Sequence, residues 1–187
     1  MRPPAPPYRG EGPRALWHVS EDPAIRRFEP HRAPTSTRDE LLVWAVDTRH
    51  LPLYWFPRSC PRGTWWAGPG TTEADEAALL SGAMRVHAIQ DDWLEHVRSS
   101  RVVAYRLPDA TFEPAPETGG YWLSRELVEP LELVELGDLL ALHVAAEIEL
   151  RIVPDLEALW QRVIQSSVEF SGMCLRNLAG GPPPAAR

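Results

Sequence analysis

Four stretches of the chain carry side chains able to do chemistry. His18 stands in the apolar run ALWHVS (15–20), between Trp17 and Val19. An imidazole there either packs as a structural group bonded to backbone or offers a free ring nitrogen to a ligand. Ser20 ends the same run, and Tyr54 lies in HLPLYWF, where an aromatic ring can pack or line a site. Arg58, Cys60 and Arg62 fall in PRSCPRG, a loop stiffened by two prolines. Two guanidinium groups there could hold an anion and lower the pKa of the thiol, making Cys60 a candidate nucleophile. Farther on, YWLSRE (121–126) places Ser124 and Glu126 on one side of an alternating strand, with Arg125 on the other. The six histidines show no paired spacing such as HExxH, and two cysteines alone do not make a zinc site, so no metal is expected.

Composition removes several classes of function. All 19 basic residues are arginine, which excludes lysine Schiff-base chemistry and a complete P-loop. Residues 1–66 carry ten Arg and seven acids, residues 67–187 nine Arg and nineteen acids, for a net of −7. So acidic a chain is a poor general binder of nucleic acid, whose backbone demands clustered positive charge. The arginine-rich front half can still line a pocket for a small anion such as a pyrophosphate. No apolar run reaches bilayer length and MRPPAPPYRGEGPR has no apolar h-region, so neither a membrane span nor a secretory signal is expected. Two cysteines point to a reducing, cytoplasmic setting.

The elements that must position these residues are short. Residues 1–13 and 179–187 are rich in proline, or in glycine and proline, and read as disordered tails around one globular domain over 14–178. Strands are expected at 15–20, 41–46, 63–68, 84–90, 101–107, 120–124, 127–136 and 147–152, the last burying Ile148, Leu150 and Ile152 on one side. GYWLS and LVEPLELVEL are expected as neighbours in one antiparallel region. Asp47 and Thr48 are candidate caps for a short helix through HLPLYWF, and Thr72 for a helix over 71–80. A further short helix is expected at 91–98, and a final one from Asp155 to about Ser171, with Leu156, Leu159, Trp160, Val163 and Ile164 as its packing stripe. The result is an α+β domain with mixed, mostly antiparallel split sheets and short helices.

From about Leu16 to Asn177 the chain resembles a bacterial family of single-domain proteins of uncharacterised function. The likeness is carried by LWHVSEDPAIRRFEP, VWAVDTRHLPLYWFPRSCPR, YWLSRELVEPLELVELGDLL and ELRIVPDLEALW. More distantly, LWHVS, then IRRFEP, then VWAVDTRHLPLYWF is similar in order and spacing to the opening motifs of the ADP-ribosyltransferase fold. That resemblance implies NAD as cofactor. It puts His18 where an imidazole bonds the nicotinamide ribose, and Tyr54 where an aromatic packs near the nicotinamide.

The chemistry implied is cleavage of the nicotinamide bond through an oxocarbenium-like ribose, with pyrophosphate held by arginine or backbone N–H groups. Active transferases commonly carry a glutamate just before a strand of the YWLS type. Here Gly120 takes that position, with Glu117 upstream and Glu126 downstream as the candidate acids. This departure weighs against transferase activity. The leading expectation is a nucleotide-binding domain whose site is built from His18, Ser20, Tyr54, Arg58, Arg62 and Glu126. The alternative is a non-catalytic protein-interaction module on the same scaffold.

Overall fold

Apolar runs of about five residues, cut by proline, glycine and aspartate, are too short for long helices and suit strands. The computed structural model describes residues 5–8, 15–32, 40–115 and 120–182 and arranges them in two sheets. The larger sheet holds β1 (Leu16–Ser20), β2 (Val43–Asp47), β5 (Val103–Leu107), β6 (Glu113–Pro114), β7 (Tyr121–Ser124) and β8 (Glu132–Glu135). Its order is β6-β7-β2-β1-β5-β8, antiparallel throughout. The smaller sheet holds β3 (Arg62–Trp66), β4 (Arg85–Gln90), β9 (Glu149–Val153) and β10 (Glu169–Met173), in the order β10-β3-β4-β9, with only β4 and β9 parallel. Four short helices complete a mixed α+β domain: α1 (Glu73–Leu79), α2 (Leu94–Ser99), α3 (Leu139–Ala145) and α4 (Leu156–Ile164).

Local chemistry explains the helix starts. The Thr72 hydroxyl accepts from Asp75 N at 3.2 Å, Asp138 from Leu140 N and Ala141 N, and Asp155 from Ala158 N at 2.8 Å. Each satisfies amides that the first turn leaves orphaned. Neither Asp47 nor Thr48 caps the segment that follows β2. It is a single 3-10 turn, Leu51–Tyr54, entered from His50 with no side-chain cap, and Asp47 instead accepts from His50 N and Nδ1.

Other expectations change as well. β7 and β8 share a sheet but are not neighbours, because β2, β1 and β5 lie between them. β9 is an edge strand whose Ile152 is 42% exposed rather than buried. The final helix stops at Ile164, and VEFSG continues as β10 because Ser166 and Ser167 turn their side chains onto local backbone and Asp75. Helix α3 stands between the expected strands 127–136 and 147–152, in a stretch where no element is expected from the sequence. Within the stretch read as an N-terminal tail, Ala5 is fully buried and donates to His50 Nε2 at 3.3 Å, and Tyr8 meets Trp55 edge-on at 5.5 Å. The rest of that stretch, apart from residues 6 and 7, lies outside the described residues, as do residues 183–187.

The sheets are joined by one apolar cluster. Leu51, Trp55 and Phe56 meet Ile89 of β4, Ala104 of β5 and Ile148, with Trp17 and Val19 of β1 packed against them. On its other face the smaller sheet is covered by α4. Gly63 and Gly172, directly paired across β3 and β10, form a bare floor for the Trp160 ring. A Cβ at Gly63 would come within 2.8 Å of that ring, and one at Gly172 within 2.7 Å. Gly63→Ala should therefore cost about 1–3 kcal/mol of stability by overpacking. The same change in a Trp160→Leu background should cost clearly less, as read from urea unfolding midpoints.

Candidate functional site

A cavity opens where two neighbouring strands part. β1 pairs with β5 over five residues but with β2 over only two, Leu16↔Asp47 and Trp17↔Val46. Beyond Trp17 the β1–β2 ladder stops, and the Trp44 carbonyl accepts instead from His18 Nδ1 at 3.0 Å. The gap leads into a cavity of about 740 Å³, bordered by Trp17 to Glu21 on one strand and Trp44 to Val46 on the other. Tyr54, Phe56, Arg58, Arg62, Tyr121 and the end of β10 with Cys174 and Arg176 complete its walls.

Burial favours the neutral form of His18. Burial pushes its pKa below the ordinary 6.5, outweighing the stabilising bond to Trp44. Because a carbonyl only accepts, Nδ1 carries the proton and Nε2 presents a lone pair. A ligand hydroxyl would thus donate to His18. The Tyr54 hydroxyl donates to that of Tyr121 at 2.9 Å, and burial and the second phenol hold it well above the usual phenol range. The Arg62 guanidinium lies 5.7 Å from the Tyr54 ring centre and 5.3 Å from that of Phe56. It is 5% exposed and bonds two carbonyls, Nε to Leu53 at 2.7 Å and Nη1 to Cys60 at 2.9 Å. Those bonds spend two of its five N–H groups and fix its plane.

The mouth is built by pinning backbone. Arg58 N donates to Glu21 at 3.3 Å, Cys174 Sγ donates to Arg58 O at 3.2 Å, and Asn177 Nδ2 to Ser59 O at 2.8 Å. The loop is held from both sides, while the side chains of Arg58 and Arg176 stay exposed and make no ion pair among the described residues. Cys60 is fully buried, and burial pushes its thiol up to about 12 despite nearby Arg62, which disfavours the thiolate a nucleophile needs.

Of the residues singled out in the sequence, His18, Ser20, Tyr54, Arg58 and Arg62 all border this cavity. Glu126 does not. It is exposed in the turn after β7, where its N–H donates to Ser124 Oγ at 3.1 Å, and Arg125 beside it pairs with Glu40 at 2.7 Å. Glu117 lies outside the described residues. Among the described residues the carboxylate that does border the cavity is Glu21, one residue past β1. Tyr121, Trp44 and Arg176 were also missed as site residues. The sequence signal was weak, since Tyr121 and Trp44 read as strand aromatics and Arg176 stands close to the proline-rich end. At Gly120 (φ +82°) a side chain has no room: a Cβ would fall 1.8 Å from Nδ1 of His50, which Asp47 holds at 2.7 Å. Among the described residues no group of three or more His, Cys, Asp or Glu is placed to hold a metal ion.

Deeper in, two histidines 56 positions apart in sequence meet. His143 Nδ1 donates to Leu139 O at 2.7 Å, so its Nε2 accepts from His87 Nδ1 at 3.0 Å. Burial lowers the pKa of His143 from 6.5 to about 4, and burial, His143 and two arginines hold His87 well below the imidazole range. The unfolded chain therefore binds protons below pH 6.5 that the folded chain refuses, and stability falls as the pH drops from 6.5 towards 4. His143 alone should account for a loss on the order of 3 kcal/mol. Urea unfolding at pH 7 and pH 4.5 should show a smaller acid loss in His143→Gln than in the parent.

Comparison with curated proteins and with solved structures returns no match. No helix among the described residues is long and apolar enough to cross a membrane. Residues 17–178 match a family of unknown function, DUF6886, a span that takes in both sheets apart from Leu16, and all the cavity residues named above. The chain is thus a member of the DUF6886 family of unknown function.

Proposed function

We propose that this chain binds a dinucleotide of the NAD or ADP-ribose class in the cavity between the parted strands, on an ADP-ribosyltransferase-like scaffold in a reducing, cytoplasmic setting. One observation carries the reading. In a protein of net charge −7, the cavity wall gathers Arg58, Arg62 and Arg176 against, among the described residues, the single carboxylate of Glu21. Such a local excess of guanidinium is suited to phosphate oxygens, which it meets with paired, charge-assisted hydrogen bonds. Five aromatic residues, Trp17, Trp44, Tyr54, Phe56 and Tyr121, also line it among aliphatic and small polar ones, and an aromatic ring is a suitable neighbour for a base. About 740 Å³ is within the usual range for a small-molecule site. His18 Nε2 supplies an acceptor for a ribose hydroxyl.

The chemistry proposed is binding without ADP-ribosyl transfer. Gly120 stands where a transferase glutamate is expected, and His50 leaves no space there for a side chain. Calorimetry with ADP-ribose and with NAD⁺ tests the reading. Binding of both is expected, without release of nicotinamide. Arg58→Ala and Arg176→Ala should each weaken binding by about tenfold or more, the size of a charged hydrogen bond, with little change in melting temperature because both side chains are exposed. No heat at millimolar ligand would sink it.

A further inference from the structure

Behind the Arg62 guanidinium lies a second chamber, of about 10 Å³, which shares Phe56, Arg62, Ser171 and Met173 with the large cavity. Its far side is polar. Register places Ser171, Thr64 and His87 side by side across β10, β3 and β4, and alternation turns all three towards the chamber. Thr64 is 4% exposed and His87 1%. Thr64 Oγ1 and His87 Nε2 are both buried with no hydrogen-bond partner among the described residues. Two orphaned polar atoms beside one small hole, whose other walls include Leu53, Phe56 and Met173, make a costly arrangement unless something fills it. The space matches a single water, which needs about 10–15 Å³ and two or more polar partners.

The hydrogen-bond directions are forced. Leu139 O can only accept, so His143 donates from Nδ1 and accepts at Nε2, and His87 must donate from Nδ1. That leaves His87 Nε2 as a bare lone pair. Arg62, at the other side of the chamber, can only donate.

We propose that the chamber binds one water molecule, which donates to His87 Nε2 and accepts from Arg62, making His87 a positioning residue for the guanidinium that faces the large cavity. The chain then runs in one direction, from Arg62 through water, His87 and His143 to the Leu139 carbonyl. Thr64 takes or supplies the remaining bond. The proposal deepens the nucleotide reading only in naming what holds Arg62 for its anion; the water itself does not depend on that reading.

A high-resolution crystal structure of the protein without ligand should show one water within hydrogen-bond distance of both His87 Nε2 and Thr64 Oγ1. The isosteric Thr64→Val and the bulkier change His87→Leu should each remove it. Exchange of the Arg62 Nη protons, followed by NMR, should speed up by about tenfold in both variants, the worth of one hydrogen bond, while the Nε–H held by Leu53 O serves as the internal control. Should His87→Leu fail to fold, Thr64→Val decides alone. A dry chamber in a well-ordered map overturns the proposal. So does a Thr64→Val protein that is more stable than the parent with Arg62 exchange unchanged, since deleting a truly orphaned hydroxyl stabilises. A parent that shows the water but gives no heat with ADP-ribose removes the nucleotide reading and leaves this one standing.

Discussion

The cavity exists because two strands stop pairing after two residues. Backbone carbonyls released from a ladder must find a donor or water, and a gap between strands is stable only if they do. His18 meets that need by giving its Nδ1 proton to Trp44 O. The same bond fixes the tautomer, so the side chain that props the strands apart also presents a defined acceptor to the space it opens. β1 can part from β2 on one side because it is paired with β5 along its full length on the other.

The smaller sheet contributes a polar inner surface, which is unusual for a layer that lies against a core. Its outer face is conventional, with Trp65, Val86 and Ala88 in one cluster with Leu156 and Val163 of α4. Its inner face carries Arg62, Thr64, His87 and Ser171, interleaved by strand alternation with the apolar set. Burying these groups costs stability that the apolar face and the cluster between the sheets must offset. Each is tolerated to the extent that its hydrogen bonds close: Arg62 on two carbonyls, His87 on His143, His143 on the first residue of α3.

Much of this was legible in the residues, and what was not has definite causes. Runs such as LLVWAV and MRVHAIQ declare strands by composition, and Thr72 and Asp155 declare helix starts by their capping chemistry. Pairing partners are a different matter. Nothing local in LVEPLELVEL says that it will lie beside β5 rather than β7, because β8 is mostly exposed and has no buried face to fix its partner or register. β10 was hidden because VEFSG follows a strong helical stripe and only Ser166 and Ser167 mark the break. For the site, His18, Ser20, Tyr54, Arg58 and Arg62 stood out through residue type, aided by the resemblance. Of the two candidate acids, Glu117 and Glu126, the first lies outside the described residues and the second lies away from the cavity that Glu21 borders, because a carboxylate's reach depends on where a strand ends in space, not on its distance along the chain. The His87–His143 contact joins elements 56 positions apart, and no spacing rule reports it.

Arg62 has one more consequence. Its side chain clamps the carbonyls of Leu53 and Cys60, nine and two residues before it, so the loop carrying Arg58 is closed into a ring by the same cation that faces the cavity. Stiffness of the rim and attraction for an anion therefore rest on a single planar group, and neither can be tuned without the other. A lysine there could reach one carbonyl at a time and would slacken the ring while keeping the charge. In a chain that contains no lysine at all, this is one position where fork geometry, and not charge alone, ties arginine to its place.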